Sequence, residues 1–316
     1  MSACTTQIHI TRQQKSLGRD LNPGPAAYEA KEGQNGVISE YRAFCAVDLQ
    51  LSRRTIRGYI HYVRKFLQWL GDGSISSSAI REYLLQPYFS QNGISTYANA
   101  LKALKAYCRC QGHQEWMQSF RFPRAPFQPK TIPSREELCE FYDHLESARD
   151  RALFLFFASS GLRRSEALGL HREEVDLVTH VVKPRQHSGR TKRVFLTFIK
   201  DEAALALKKY LGSRKDDNPK LFPMATISER GLWRQARTST GIQLKPQLLR
   251  EWFCMEMGCL GVPDRFIDAF CGRVPTSVLA RHYTDYSLTR LKEIYDRANL
   301  RILSQTQLVA RRTHSD

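Results

Sequence analysis

No Cys-x-x-Cys pair occurs in this 316-residue chain, and its eight cysteines, at 4, 45, 108, 110, 139, 254, 259 and 271, are scattered. Such spacing excludes a disulfide framework and a four-ligand zinc site. Cys108-Arg-Cys110 with His113 forms only a partial set without an evident fourth ligand. The thiols therefore read as free cysteines of a protein in a reducing cytoplasm. No apolar run reaches the ~18 residues that would suggest a membrane span, and no secretory leader pattern opens the chain. Internal repeats are absent. Acidic residues are scarce relative to basic ones, 31 against 48, for a formal net charge of +17. That field favours a polyanion, and nucleic acid is the commonest such partner. No RNA-recognition motif accompanies the charge. A 42% hydrophobic content nevertheless allows a sizeable core, and the length accommodates two domains.

Residues 1–36 are polar and interrupted by Gly and Pro, and read as a flexible arm. Within it, Arg19-Asp-Leu-Asn-Pro23 can be encoded by CGGGATTTGAACCCG, whose reverse complement has the form of a transfer-RNA T-arm. Codon degeneracy leaves coincidence as the rival explanation. From Val37 to Arg121 the pattern is helical. Val37, Tyr41, Phe44 and Cys45 share the face of a first helix; Ile56, Tyr59, Ile60, Val63, Phe66, Leu67 and Leu70 share that of a second, which Gly71-Asp72-Gly73 closes. Ile80, Tyr83 and Leu84 suggest a third helix; Tyr97, Leu101, Leu104 and Tyr107 suggest a fourth. Basic residues such as Arg53, Arg57, Arg64, Lys65, Lys102 and Lys105 on these helices suit phosphate contacts that carry little sequence information.

Residues 122–133 form a basic, proline-rich linker. A second domain, over 134–300, opens where Ser134 and Glu137 make a capping-box pattern. An apolar helix ends at Gly161, and strands are expected over Val181–Arg185 and Arg193–Phe198. Helices follow at about 202–212, 227–237, 246–258, 263–270, 275–284 and 287–300, ahead of a polar tail over 301–316.

Three stretches of this second half carry chemistry: Ser160-Gly-Leu-Arg-Arg-Ser-Glu166, Gln247-Leu-Leu-Arg250, and Gly272-Arg273 followed by Arg281-His-Tyr283. Charge gathers on the non-bridging oxygens when a phosphodiester is attacked. A metal-free site must therefore supply fixed cations, a nucleophile and an acid for the leaving oxygen. Arginine is the natural clamp, since it stays charged and its fork matches phosphate. A tyrosine can hold the phosphate covalently and give it back.

In this order and spacing, the stretches resemble the signatures of the tyrosine recombinase (phage integrase) family. The resemblance covers roughly 37–300. It implies a mainly α protein with a small antiparallel β-sheet: a helical core-binding domain over 37–121 and an α+β catalytic domain. By this match Arg163, Arg250 and Arg273 are the catalytic arginines, Glu166 buttresses them, and Tyr283 is the nucleophile. Tyr286, three residues on, is the alternative. Gln247 and Arg273 stand where most members carry histidines. This departure, with the run from Phe270 to Tyr283, most resembles archaeal virus- and plasmid-type integrases. Arginine cannot serve as an acid near neutral pH, so that duty falls on a lysine, Lys192 first and Lys183 second.

The resemblance further implies a site-specific DNA recombinase that works through a 3′-phosphotyrosine, without metal or nucleotide cofactor. Its partners would be double-stranded DNA attachment sites, a homo-tetramer on DNA and accessory DNA-bending proteins. Two other readings of the same residues stay open: a type IB-like topoisomerase, and an inactive DNA-binding relic. The apolar face of Leu288, Leu291, Ile294, Tyr295 and Ala298 fits either a protomer contact or the chain's own core.

Overall fold

A computed structural model describes residues 25–185, 196–223, 231–273 and 277–303, with side chains from residue 36 onward. The chain divides into two compact units, Met1–Phe127 and Gln128–Asp316.

The first unit is built from α1 (Pro25–Val47), α2 (Arg53–Leu70), α3 (Ser77–Leu84), α4 (Pro87–Gln91) and α5 (Gly93–Cys110). The start of α1 corrects the expected boundary of the arm at residue 36. Pro25 has a φ preset for a first helical turn, and Ala26, Ala27, Glu29 and Ala30 are good helix formers, even though the segment lacks an apolar stripe. In α2, Ser52 caps the N-terminus by accepting from the Thr55 amide at 3.2 Å, and Gly71 closes the other end at φ 60°. Between these caps Ile56, Ile60, Val63 and Phe66 recur at helical spacing and are all buried. They face two adjoining clusters. One gathers Ile38, Tyr41, Cys45 and Tyr107, where the Tyr41 hydroxyl donates to the Ala103 carbonyl at 2.8 Å. The other gathers Phe66, Ile80, Tyr83, Phe89 and Leu104. Helix α4 escaped the sequence reading because its five residues are too short to show a period.

The second unit opens with α6 (Arg135–Asp143), held by a complete capping box: the Ser134 amide donates to Glu137 at 2.7 Å and the Glu137 amide to Ser134 Oγ at 3.2 Å. Next comes α7 (Ala148–Ser160), buried on every side from Ala152 onward, which makes it the central core helix. Short α8 (Arg164–Ala167) follows. A three-stranded antiparallel sheet joins β1 (Val175–Asp176), β2 (Val181–Val182) and β3 (Thr197–Phe198) in that order, with Val175 opposite Val182 and Val181 opposite Phe198. The first expected strand stops early because Pro184 has no N–H to donate. Of the second, residues 193–195 lie outside the described residues.

Among the described residues six further α-helices follow: α9 (Asp201–Gly212), α10 (Arg234–Thr240), α11 (Pro246–Cys259), α12 (Asp264–Phe270), α13 (Val278–His282) and α14 (Leu288–Ala298). Of the helix expected over 227–237, residues 227–230 lie outside the described residues, 231–233 form a turn, and α10 opens at Arg234. Trp233 precedes it at φ 55°, its ring buried 5.9 Å from that of Phe154. Packing of the indole outweighs local helix propensity here.

Helix α14 turns Leu291, Ile294, Tyr295 and Ala298 into the chain's own core, and Tyr295 donates to the Ser159 carbonyl at 2.9 Å. The tail assigned to 301–316 is also corrected. Ile302 and Leu303 are fully buried, their amides donate to Glu202 at 3.3 and 3.0 Å, and Arg135 donates to the carbonyls of both. Two apolar side chains outside any helix period gave no sign of this in the sequence. Among the described residues no helix is long and apolar enough to cross a membrane.

Candidate active site

Helix α7 ends at Gly161 in the left-handed region, φ 64°. A Cβ there would lie 2.6 Å from the Phe253 ring and 3.0 Å from Cys271 Sγ, so both the backbone and the packing demand glycine. The turn brings Arg163 to the N-cap of α8. Glu166 then holds it twice: Oε2 accepts from the Arg163 amide and Oε1 from its Nη1, both at 2.7 Å. Glu166, expected to buttress the site, is thus in direct contact with Arg163.

Arg250 projects from α11 into the core and is only 3% exposed. Its Nη1 donates to the Gly161 carbonyl at 2.6 Å, its Nη2 to the Cys271 carbonyl at 2.9 Å, and Nη1 lies 3.9 Å from Glu166. Burial pulls its pKa below the usual arginine value, and nearby Arg163 adds to that pull. Charge remains the stable state, because two carbonyls and a carboxylate surround it.

Arg273 follows Gly272, which takes φ 59° at the end of α12. Its Nη1 donates to Asp268 at 2.8 Å, and its Nη2 reaches Cys254 Sγ at 3.4 Å. Burial pulls its pKa down, but the Asp268 bond and the Cys254 and Cys271 sulfurs more than offset this, leaving it above the ordinary value. Arg163, Arg250 and Arg273 are therefore joined in one network, through Glu166 on one side and the Cys254–Cys271 pair on the other.

Gln247, one turn before Arg250, is exposed and donates to Glu251 at 3.2 Å. Glu251 also accepts from Lys130 at 2.5 Å. Lys183 is exposed at the end of β2, its amide donating to the Glu174 carbonyl at 2.9 Å. Lys192 lies outside the described residues.

The two candidate tyrosines differ sharply. Helix α13 stops at His282, so Tyr283 is its C-cap and does not share a continuous helix with Tyr286. Tyr283 is 77% exposed. Tyr286 instead donates its hydroxyl to the Ala280 carbonyl at 2.6 Å, with its ring 6.2 Å from that of Phe266. His282 is exposed on the last turn of α13.

Sequence reasoning did not single out Asp268, Glu251, Cys254 or Cys271. A signal existed for two of them: Glu251 lies four residues after Gln247 and Cys254 four after Arg250, the spacing at which helical side chains meet. Asp268 and Cys271 come from another helix end, and only folding reveals them.

Comparison with known proteins bears on the family and the fold. The family model described as the phage integrase family matches residues 134–290. Over 282 residues the chain is 28% identical to tyrosine recombinase XerA of Thermococcus kodakarensis, covering 84% of this chain and 96% of that protein. It is 29% identical to XerA of Thermococcus onnurineus over 286 residues, covering 85% and 97%. Among solved structures, the Tn1549 transposon integrase in complex with circular intermediate DNA shares the fold at TM-score 0.60 and 16% identity, over 81% of this chain and 98% of that one. A lambda integrase(75–356) dimer bound to a COC′ core site does so at TM-score 0.58 and 13% identity, over 80% and 98%. With its arginine signatures in order and clustered, the chain belongs to the phage integrase family and is a tyrosine-type site-specific DNA recombinase.

Proposed function

We propose that this recombinase cuts and rejoins duplex DNA through a 3′-phosphotyrosine on Tyr283. The observation that carries the reading is the linked cluster of Arg163, Arg250 and Arg273 in a domain whose Tyr283 side chain is exposed. The Tyr283 oxygen attacks the scissile phosphorus as its hydroxyl proton passes to solvent. A tyrosyl–phosphate bond forms, the bond to the 5′ oxygen breaks, and the leaving oxygen takes a proton from Lys192, or from Lys183 in its place. Preorganised guanidiniums offset the charge that builds on the non-bridging oxygens, where fixed donors are most effective. Gln247 contributes a neutral hydrogen bond at a position where an acid is not available. Rejoining reverses these steps, and the stored ester makes metal or nucleotide unnecessary.

The DNA partner is an attachment site gripped by both units, with synapsis by a homo-tetramer and help from DNA-bending proteins. Residues 19–23, encodable opposite a T-arm, support a tRNA-type site in a mobile element, of the kind carried by archaeal viruses and plasmids. Codons at 19–23 that cannot form a T-arm on the opposite strand would remove that part of the reading.

The test is a nicked suicide duplex carrying the candidate site, run on a denaturing gel after mixing with protein. A protein–DNA adduct seen with the wild type and lost in Tyr283→Phe is the expected result. No adduct, despite tight binding to verified target DNA, would overturn the cleavage mechanism and favour a DNA-binding relic.

A further inference from the structure

Two sulfurs sit inside the arginine network with no role in strand transfer. Cys254 Sγ, on α11, lies 3.3 Å from Cys271 Sγ, at the end of α12. The pair is asymmetric. Cys271 is fully buried, whereas Cys254 retains some exposure. Arg273 Nη2 lies 3.4 Å from Cys254 Sγ, and the Cys271 carbonyl accepts from Arg250. Each cysteine therefore touches a different arginine, and each touches the other. A disulfide has an S–S length of about 2.05 Å, so closing this bond needs only a small approach of two side chains already in contact.

We infer that Cys254 and Cys271 are a modification site, a dithiol that a peroxide closes to a disulfide, altering the hold on Arg273 and Arg250. The attacking sulfur is Cys254, which has access to solvent and guanidinium neighbours. The Cys271 S–H, followed by Arg273 and Arg250, holds the Cys254 thiol below its ordinary range, which favours the reactive thiolate. The Cys254 thiolate attacks one peroxide oxygen, the O–O bond breaks, and a sulfenic acid and hydroxide result. The Cys271 sulfur then attacks the Cys254 sulfur, the S–O bond breaks, and water leaves with the Cys271 proton. The hydroxide takes a proton from solvent. Two sulfurs are each oxidised by one electron, and one peroxide is reduced to two waters.

The consequence follows from charge. Cys254 Sγ is the second acceptor that orients Arg273, beside Asp268, and as a thiolate it holds the guanidinium most strongly. A disulfide sulfur is uncharged and a poor acceptor, so Arg273 keeps only the Asp268 anchor. The carbonyl that holds Arg250 also moves with Cys271. Loss of one charge-assisted bond that orients a catalytic arginine lowers the cleavage rate about tenfold, reversibly.

This effect on cleavage rests on the proposed role of the arginines, while the disulfide itself does not. The full-length protein is treated with hydrogen peroxide, its remaining thiols are blocked, and peptides are mapped by mass before and after dithiothreitol. A linked peptide pair containing Cys254 and Cys271, about 2 Da lighter than the two thiols, is the expected result. Adduct formation on the suicide duplex should fall with oxidation and return with reductant. In Cys254→Ser, whatever its basal rate, that reversible fall should be absent. No linked pair in the wild type, or an equal reversible fall in Cys254→Ser, overturns the inference. A linked pair in a protein that forms no adduct even when reduced leaves the modification site standing and rejects the cleavage mechanism.

Discussion

Arg250 donates through Nη1 to the carbonyl of Gly161, 2.6 Å away and 89 residues earlier in the chain. The first arginine signature thus ends the helix whose terminal carbonyl anchors the second arginine. One αL glycine serves both, because it turns the chain toward Arg163 and presents its oxygen to Arg250.

Arg250→Ala should therefore damage both activity and stability. It leaves the Gly161 and Cys271 carbonyls buried without their donor, at a cost of about 1–3 kcal/mol. Denaturant unfolding should show the lower midpoint. Adduct formation on the suicide duplex should vanish, and Arg250→Lys should not restore it, since a point charge cannot span two divergent carbonyls. A fully active Arg250→Lys would contradict this account.

Gly161→Ala tests the turn itself. The new methyl meets the Phe253 ring at 2.6 Å, and the φ of 64° adds strain for any L side chain. Overpacking and strain together should cost about 2–4 kcal/mol, read as a lowered Tm. An unchanged Tm would show that the core yields more readily than its packing suggests.

The tyrosines separate by the state of their hydroxyls. Tyr283→Phe should abolish the adduct with little change in stability, because that side chain is 77% exposed. Tyr286→Phe should keep the adduct but lose the bond to the Ala280 carbonyl, costing about 0.5–1.5 kcal/mol. The reverse pattern in adduct gels would assign the nucleophile to Tyr286.

Ile302→Ala should destabilise the second unit by about 2–5 kcal/mol, as expected for a fully buried branched side chain. A tail residue lying free in solvent would tolerate the change. Thermal unfolding distinguishes the two.

The thiol pair carries a pH signature. Cys271 donation, with Arg273 and Arg250 nearby, lowers the Cys254 pKa, whereas the Cys254 sulfur and burial raise that of Cys271. A lowered folded-state pKa contributes stability that is complete above the ordinary thiol value of about 8.5 and lost as pH falls through the lowered one. A raised one contributes below the ordinary value and loses it as pH climbs through the folded-state pKa. Thiolate absorbance of the reduced protein should therefore show one early ionisation that Cys271→Ala shifts upward. An early ionisation unmoved by Cys271→Ala would refute the sulfur–sulfur hydrogen bond.

Local chemistry made much of this protein legible in its sequence. Ser134 and Glu137 lie within one turn, so their capping box follows from spacing alone. The apolar stripe of α2 and the closing Gly71 are equally local. The arginine signatures were legible because each is a short contiguous string. Other features depended on partners distant in the chain. Neither the burial of Ile302 nor the left-handed turn at Trp233 before α10 follows a local period.

What the sequence alone determined is the set of reactive groups: a large positive charge, three signature arginines, and two tyrosines close enough to compete. Tertiary structure decided how they are held. Glu166 clasps Arg163 within one turn, but Arg250 is fixed by carbonyls from two other segments, and Arg273 by Asp268 and by the Cys254 sulfur of α11. Residue type carries charge and nucleophilicity from the moment the chain exists. Direction and burial of a side chain come only from neighbours that folding brings within hydrogen-bond reach, and for Arg250 these lie 21 and 89 residues away.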